Sequence, residues 1–218
     1  MIYYTNVSNI NINNIPSFIP QNNKEKINSY QFDKDKKLSL GAQLLLFYGL
    51  KQEKIINPIF KKGKYEKPYC SNYNIHFNIS HSGIYSACVI NKTPVGIDIE
   101  KIDKTIDLNI AKNFFNKKEY ESIKESSDPK DTFFKLWVLK ESYMKQTGLG
   151  FNLPLDKFSI ILDDPIKVQD PNNKEAKYLK MKYWKIEDYY LAVCSNEVPI
   201  NPIEIKSLQL GYDLLLIK

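Results

Sequence analysis

Apolar residues recur along this chain with two different periods, and the two periods alternate from segment to segment. Segments with every second residue apolar predict half-buried strands, whereas apolar residues spaced three and four apart predict helices. The pattern predicts a helix that begins within residues 20–26. It predicts further helices over residues 38–50, 108–115, 117–126 and 133–145. It predicts strands over residues 2–5, 77–79, 85–90, 95–100, 153–155, 158–162, 166–168, 178–185 and 189–194, and a strand or helix over residues 212–217. No apolar run is long enough to span a bilayer.

The helix predicted over residues 133–145 carries the first candidate chemistry. Trp137, Glu141 and Lys145 are spaced four residues apart, so they lie along one side of that helix. Gly148 follows as a stop signal. By themselves, Glu141 and Lys145 are equally consistent with an ordinary solvated ion pair, which contributes little to stability.

The strand predicted over residues 95–100 alternates strictly between two faces. Its apolar face comprises Val95, Ile97 and Ile99. Gly96, Asp98 and Glu100 share the other face, so two carboxylates lie beside a residue that has no side chain. A solvent-facing acidic edge is one interpretation. If Glu141 meets Asp98 and Glu100 in the fold, three hard oxygen ligands converge, which suits Mg²⁺.

A run of small polar residues, Ser80, His81, Ser82 and Gly83, follows the apolar alternation of residues 77–79. We expect it to end the strand as a loop whose hydroxyls, imidazole and backbone N–H groups cradle a phosphate. A nucleophilic Ser/His pair is the rival interpretation, although sequence neighbours rarely have the geometry of a triad. The strands over residues 85–90 and 95–100 are predicted to form a hairpin that brings this loop towards Asp98 and Glu100.

Composition narrows the function classes. The 218 residues carry a net charge of +6, and all the basic side chains except the two histidines are lysines because the chain contains no Arg. A phosphate site here must therefore use Lys, His, hydroxyls or backbone N–H groups, without the bidentate guanidinium fork. Lys34, Lys36 and Lys37 precede the helix at residues 38–50, where anions are favoured. No basic cluster with interleaved aromatic residues is present, so nucleic-acid binding is not predicted.

The three cysteines and the N-terminal residues bear on location. Cys70, Cys88 and Cys194 are odd in number and widely spaced, which predicts reduced thiols rather than disulfides or a zinc site. The first residues show neither a basic n-region nor an apolar h-region, so no signal peptide is predicted. We expect a cytoplasmic protein without a membrane partner.

The two halves of the chain have a similar order of elements, helices first and antiparallel strands afterwards. The short segments that begin at Tyr85 and Tyr190 are similar to each other. This order predicts an α+β fold of two similar subdomains related by a pseudo-twofold axis. The polar connector over residues 101–107 places the predicted boundary between residues 1–103 and residues 104–218.

Three motifs in order carry a specific resemblance. They are Phe77-Asn-Ile-Ser-His-Ser-Gly83, Val95-Gly-Ile-Asp-Ile-Glu100 and Trp137-Val-Leu-Lys-Glu-Ser-Tyr-Met-Lys145. With them the chain resembles the 4′-phosphopantetheinyl transferases of the surfactin-synthetase-activating (Sfp) type over most of residues 30–195. The resemblance implies transfer of the phosphopantetheine arm of coenzyme A (CoA) to a serine of an acyl or peptidyl carrier protein, which releases 3′,5′-ADP. It also implies a monomer with the active site between the halves.

The resemblance implies a role for each matching residue. The implied Mg²⁺ ligands are Asp98, Glu100 and Glu141. Lys145 matches a lysine that contacts the pyrophosphate, and the other implied CoA contacts are Lys67, Ser80 and His81. Lys37 stands where the family usually has Arg for the 3′-phosphate, which keeps the charge and loses the fork. Lys24 and Lys26 are weaker matches. The base for the carrier serine is left open between Glu141, acting directly or through a metal-bound water, and Glu119.

Two other classes of function compete with the transferase. A Mg²⁺-dependent phosphodiesterase would use water in place of the carrier serine. It would need a dedicated water-activating group, and His76 and His81 are the only histidines in the chain. A catalytically inactive module that binds CoA or a carrier would be indicated by the loss of a metal carboxylate, whereas all three are present.

Overall fold

The computed structural model describes residues 1–199, 201–207 and 210. The strands are β1 (Ile2–Asn6), β2 (Phe60–Lys62), β3 (Pro68–Cys70), β4 (His76–Ser82), β5 (Tyr85–Asn91), β6 (Val95–Lys101), β7 (Ser159–Ile161), β8 (Lys167–Gln169), β9 (Lys180–Ile186), β10 (Tyr189–Ser195) and β11 (Pro202–Glu204). The helices are α1 (Gln21–Ser29), α2 (Asp33–Gln52), α3 (Asn109–Phe114), α4 (Lys117–Glu125) and α5 (Pro129–Thr147). Short 3-10 helices span Gly150–Asn152, Leu155–Lys157 and Lys174–Tyr178. The element predicted over residues 212–217 lies outside the described residues.

The first half packs one long helix on a four-stranded sheet. The sheet has the strand order β11-β1-β5-β4, and α2 covers one of its faces. The helix lies close to the sheet at Gly49, which has no side chain. A Cβ there would be only 2.6 Å from Ile90 Cδ1, a distance that real Cβ atoms do not show. β11 pairs in parallel with β1, so the chain returns to the first sheet after passing through the second half.

The second half repeats this arrangement with α5 on a three-stranded sheet of order β6-β10-β9. The register aligns Asp98 with Ala192 and Ile99 with Leu191. α5 begins after Asp128, which caps its N-terminus, and ends at Gly148 with φ 72°, as the predicted stop requires. Each half thus combines one long helix with one sheet of mainly antiparallel strands, which confirms the predicted α+β class.

The predicted hairpin between the strands at residues 85–90 and 95–100 is wrong. β5 and β6 are joined by the three residues 92–94, but they belong to different sheets. The predicted apolar face of β6 instead stacks on one face of β5 and forms a core between the two sheets. Every residue of β5 from 85 to 90 is buried, so both of its faces need a cover. α2 covers one face, and the second sheet covers the other.

Several local predictions also change. Residues 80–82 continue β4 instead of forming a loop, and residues 153–155 include no strand but lead into a 3-10 helix. The boundary after residue 103 stays a prediction, although β6 lies in the sheet of the second half. The three cysteines are buried free thiols. Among the described residues, no helix is long and apolar enough to cross a membrane.

Candidate functional site

The site forms where α5 lies against β6. A Cβ at Gly96 would lie 2.0 Å from the carbonyl oxygen of Ser142 and 2.3 Å from the backbone nitrogen of Gln146. Only a residue without a side chain therefore allows the helix to approach the strand this closely. The close approach brings the helix face that carries Glu141 and Lys145 next to the strand face that carries Asp98.

Lys145 and Asp98 form the centre of the site. The Lys145 ammonium lies 2.6 Å from Asp98 Oδ1 and 3.0 Å from Ser80 Oγ. Ser80 donates its own hydroxyl to the same Asp98 oxygen at 2.8 Å. Asp98 is almost fully buried, and its second oxygen, Oδ2, has no hydrogen-bond partner in the described part of the protein. A buried carboxylate oxygen without a partner is costly unless a ligand satisfies it.

Two further carboxylates surround this centre. Burial and the negative charge of Asp98 raise the pKa of Glu100 to about 7, and the same two causes raise the pKa of Glu141. Burial by itself would lower the pKa of Lys145, but Asp98, Glu141 and Glu100 outweigh it and raise that pKa. We call Asp98, Glu100, Glu141 and Lys145 the acidic site. Its three carboxylates lie close enough to repel one another and share one ammonium.

The residues of the acidic site suit a divalent cation in their chemistry. Within residues 1–199, 201–207 and 210, no group of three or more Asp, Glu, His or Cys side chains is arranged so that it could hold a metal ion by itself. Asp98 Oδ2, which has no partner among the described residues, and the carboxylates of Glu100 and Glu141 nevertheless offer hard oxygen ligands. Mg²⁺ takes one or two protein carboxylates together with phosphate oxygens and waters, so an incomplete cage is adequate for it.

Strand β4 holds the acidic site from the other half of the protein. Ser80 accepts a hydrogen bond from the Ile99 N–H at 3.4 Å, and Asn78 Oδ1 accepts one from the Ile97 N–H at 2.9 Å. Ser82 accepts one from the Lys101 N–H at 3.2 Å. Our sequence analysis assigned no role to Asn78 and placed Ser82 in a phosphate-cradling loop, not on a strand face towards β6. Their signal is polar residues at every second position from 78 to 82, which indicates a strand with one polar face.

Lys67 was predicted as a CoA contact, but the structure places its ammonium on backbone carbonyls. It lies 2.9 Å from the carbonyl oxygen of Val95, 2.5 Å from that of Lys145 and 3.4 Å from that of Gln146. These acceptors use the three donors of the ammonium and include two carbonyls of the last turn of α5. Burial lowers the pKa of Lys67 to about 8. Lys67 thus fastens the end of α5 to the start of β6.

The remaining predicted contacts lie on the first half. His81 is exposed on β4 and, by the strand alternation, faces away from Ser80. Desolvation, followed by the positive charge of Lys145, lowers its pKa. Lys37 lies in α2 and donates to the carbonyl oxygen of Ser8 at 2.7 Å. Lys24 donates to the carbonyl oxygen of Ser17 at 3.3 Å. The structure joins Ser80 to the acidic site and leaves Lys24, Lys37 and Lys67 on backbone carbonyls.

Glu119, the weaker base predicted from the sequence, belongs to a separate buried cluster. Both of its oxygens accept from the Lys140 ammonium, at 2.8 and 2.7 Å. Oε1 also accepts from the Ile160 N–H at 2.7 Å, and Oε2 accepts from the Asn116 N–H at 3.1 Å. The Lys140 ammonium further donates to the carbonyl oxygen of Phe158 at 2.9 Å. Glu119 is saturated with hydrogen bonds and connects α4, α5 and β7.

In this α+β fold a buried carboxylate, two half-buried carboxylates and one lysine meet where α5 lies against β6, and such a set of groups can act on a phosphate ester together with a divalent cation. Comparison with known families makes this chemistry specific. Residues 94–194 match the 4′-phosphopantetheinyl transferase superfamily, and residues 7–93 match the model described as "4′-phosphopantetheinyl transferase, N-terminal".

Individual relatives agree with the family models. The 4′-phosphopantetheinyl transferase Sfp of Bacillus subtilis is 36% identical over 187 residues, which are 82% of this chain and 83% of that protein. The transferase ffp of Bacillus subtilis is 34% identical over 92% of this chain and 91% of its own length. A solved holo-[acyl-carrier-protein] synthase of Thermotoga maritima aligns with a TM-score of 0.40 at 14% identity, over 47% of this chain and 62% of that chain. On the sequence relatives, this chain belongs to the 4′-phosphopantetheinyl transferase family.

Proposed function

We propose that the acidic site holds Mg²⁺ and the pyrophosphate of CoA while the phosphopantetheine arm passes to a serine of an apo carrier protein. The transfer is the activity of the family to which the chain belongs, and the proposal assigns it to these residues. The observation that carries the assignment is Asp98 Oδ2, a buried carboxylate oxygen that has no partner among the described residues and belongs to a carboxylate that interacts with those of Glu100 and Glu141. A cation bound there would satisfy this oxygen and would relieve the repulsion that raises the pKa of Glu100 and Glu141.

The reaction is a phosphoryl-type transfer. The serine oxygen forms a bond to the β-phosphorus of CoA, the bond from that phosphorus to the bridging oxygen breaks, and 3′,5′-ADP leaves with the electron pair. Bound Mg²⁺ would supply charge neutralisation at the two phosphates. Asp98, Glu100 and Glu141 would hold the cation, and Lys145 would place its ammonium beside the phosphate oxygens.

The proton of the carrier serine needs an acceptor, and we propose Glu141. Its carboxylate belongs to the acidic site and could take the proton directly or through a metal-bound water. Glu119 does not suit this role because its two oxygens together accept four hydrogen bonds inside the fold. The proposal therefore places the base on the same helix as Lys145.

We keep Ser80, His81, Lys67 and Lys37 as proposed contacts of the CoA phosphates and nucleotide. His81 is exposed and can turn to a ligand without breaking a contact described above. Lys37 and Lys67 would first have to give up a backbone carbonyl. We also propose a cytoplasmic monomer. The acidic site is supported by β4, β6 and α5 of one chain, so it needs no residue from a second copy.

Intact-mass spectrometry of an apo carrier protein tests the proposal. The carrier is incubated with this protein, CoA and Mg²⁺, and parallel samples contain EDTA or a carrier with its serine changed to Ala. We expect a mass gain equal to one phosphopantetheine that EDTA and the Ser→Ala carrier both abolish. Asp98→Asn is expected to abolish the gain while the far-UV circular dichroism spectrum is unchanged.

Two other results would point to the rival classes. CoA breakdown without labelling of the carrier would support a phosphodiesterase. CoA binding by calorimetry, with neither breakdown nor labelling, would support a binding module. Labelling that persists in EDTA would refute the proposed role of Mg²⁺ alone and leave the transfer in place.

A further inference from the structure

The two sheets of this protein meet along β4 and β6 without a backbone ladder. β4 is the last strand of the first sheet, and β6 is the first strand of the second. Side chains on β4 fill the role that backbone carbonyls have in a sheet: Asn78, Ser80 and Ser82 accept from successive alternate N–H groups of β6. At this edge, beside the apolar core between the sheets, three polar side chains spaced two residues apart therefore join β4 to β6.

These three side chains differ in what else they do. Asn78 uses its Oδ1 to accept from the Ile97 N–H. Ser80 and Ser82 accept in the same way and also donate to the acidic site: Ser80 to Asp98 Oδ1 and Ser82 to Glu100 Oε2, both at 2.8 Å. Each serine thus serves one carboxylate of β6, and the pairing follows from the shared two-residue period of the two strands.

The chemistry of a hydroxyl makes the Ser82 arrangement directional. A serine hydroxyl has one proton to donate. The Lys101 N–H points at Ser82 Oγ and occupies one of its lone pairs, so the hydroxyl proton is directed away from that N–H. The proton lies on the hydrogen bond to Glu100 Oε2 because a carboxylate only accepts. The backbone of β6 therefore fixes Ser82, and Ser82 in turn holds the Glu100 carboxylate of the same strand.

We propose that Ser82 is a positioning residue, which orients the Glu100 carboxylate as a metal ligand through the Lys101 N–H, Ser82 Oγ and Glu100 Oε2 contacts. The inference rests on the proposed role of Glu100 towards Mg²⁺. Ser82 lies in the first half and Glu100 in the second, so the hydrogen bond also makes the shape of the acidic site depend on how the halves meet. Hydrogen bonds of this kind to metal-ligating carboxylates commonly change metal affinity by about 10–100-fold.

The test compares Ser82 with Asn78, which joins the same two strands and forms no hydrogen bond to a carboxylate in the described part of the chain. Mn²⁺ is titrated into the CoA-bound protein and free Mn²⁺ is followed by electron paramagnetic resonance. We expect Ser82→Ala to weaken Mn²⁺ binding about 10-fold or more. Ser82→Thr retains the hydroxyl and should recover most of that loss. Asn78→Ala should lower the melting temperature and leave Mn²⁺ affinity within about twofold of the wild type.

Two outcomes would overturn the inference: wild-type Mn²⁺ affinity in Ser82→Ala, or an equal loss in Asn78→Ala, which would show that the junction as a whole matters and not this hydroxyl. If Ser82→Ala does not fold, Ser82→Cys replaces it, since a thiol is a weaker donor than a hydroxyl, and an intermediate loss of affinity is expected. Failure of the proposed function looks different. In that case the wild type itself binds no Mn²⁺ and its carrier labelling is unaffected by EDTA.

Discussion

Helix α5 carries two lysines, each paired with a carboxylate from another element. The two carboxylates differ in how much of their hydrogen-bonding capacity is used. Lys140 and Glu119 are almost completely excluded from solvent, at 0% and 3% side-chain exposure, and both Glu119 oxygens accept two hydrogen bonds. Lys145 retains 28% exposure and pairs with Asp98, which is 2% exposed and keeps one oxygen without a partner among the described residues. The first pair is complete within the fold, whereas the second is not.

The difference separates a structural pair from a site. A saturated buried pair contributes to holding its elements in one arrangement, and breaking it leaves an uncompensated charge. An unsaturated carboxylate with two like-charged neighbours is poorly stabilised by the protein alone and gains from a cation. The two lysines, Lys140 and Lys145, lie five residues apart on α5, so matched substitutions can distinguish the roles of the two pairs in one protein.

The largest effect is expected at the saturated pair. Glu119→Gln leaves the Lys140 charge buried without its partner, and we expect the free energy of unfolding to fall by about 3–5 kcal/mol. Urea denaturation measures it. Adding Lys140→Met to this variant removes the unpaired charge and should recover a large part of the loss. A change below about 1 kcal/mol in the single variant would contradict the structural role, since surface substitutions commonly have effects of that size.

The same Glu→Gln substitution at Glu141, in the acidic site, should lower activity and not stability. Glu141→Gln keeps the size of the side chain and removes a charge that Asp98 repels. We expect the turnover of carrier labelling to fall about 10²–10³-fold, equivalent to roughly 3–4 kcal/mol of barrier. The free energy of unfolding should stay the same or rise slightly. Near-normal turnover would remove Glu141 from the site, and destabilisation like that of Glu119→Gln would end the contrast between the pairs.

Mg²⁺ should stabilise the protein through one pair only. A ligand that binds the native state at 100 times its Kd adds about 2.7 kcal/mol to the free energy of unfolding. We expect this gain in the wild type and in Glu119→Gln, and expect most of it to be lost in Asp98→Asn. Urea denaturation with and without Mg²⁺ measures the gain. An equal gain in Asp98→Asn would place the cation elsewhere.

The smallest effect is a pH dependence of the metal-free protein. The pKa of Glu100 is raised from 4.5 to about 7 by burial and by Asp98. Between these values the native state binds a proton that the unfolded state has released, so the free energy of unfolding falls as pH rises. After allowance for solvent screening we expect a loss on the order of 1–2 kcal/mol from pH 5 to pH 8. Glu100→Gln in EDTA should show a smaller loss, and an equal loss would contradict the assignment.

Local patterns predicted the parts of the site that belong to single elements. The alternation at residues 95–100 correctly separated an apolar face from a face with Gly96, Asp98 and Glu100, because strand geometry sends successive side chains to opposite sides. The spacing of Glu141 and Lys145 placed both on one side of α5, and Gly148 correctly marked its end. These features depend on periods of two and about 3.6 residues, which the chain carries in its own order.

Contacts between distant segments were predicted less well. The hairpin of β5 and β6 was wrong because the turn between them leads into a second sheet, where the apolar faces stack. Lys67 stays a proposed CoA contact, and no local pattern indicated that its ammonium also donates to three carbonyls of β6 and α5, at residues 28 or more positions away. The polar alternation of β4 marked Ser82 but could not indicate its partner, because Glu100 lies in the other sheet.

The order of residues along this chain thus specified its family, its α+β class and the faces of its helices and strands. It did not specify which faces meet. Lys140 and Lys145 are the same kind of residue on one helix, and the four-residue spacing that singled out Lys145 was equally consistent with an ordinary solvated ion pair. The packing of α4 and β7 buries Lys140 with Glu119, whose oxygens all accept hydrogen bonds. The close approach at Gly96 instead places Lys145 beside Asp98, which keeps one oxygen without a partner among the described residues. Burial and unmet hydrogen-bonding capacity arise from long-range packing, and they distinguish the structural lysine from the lysine of the site.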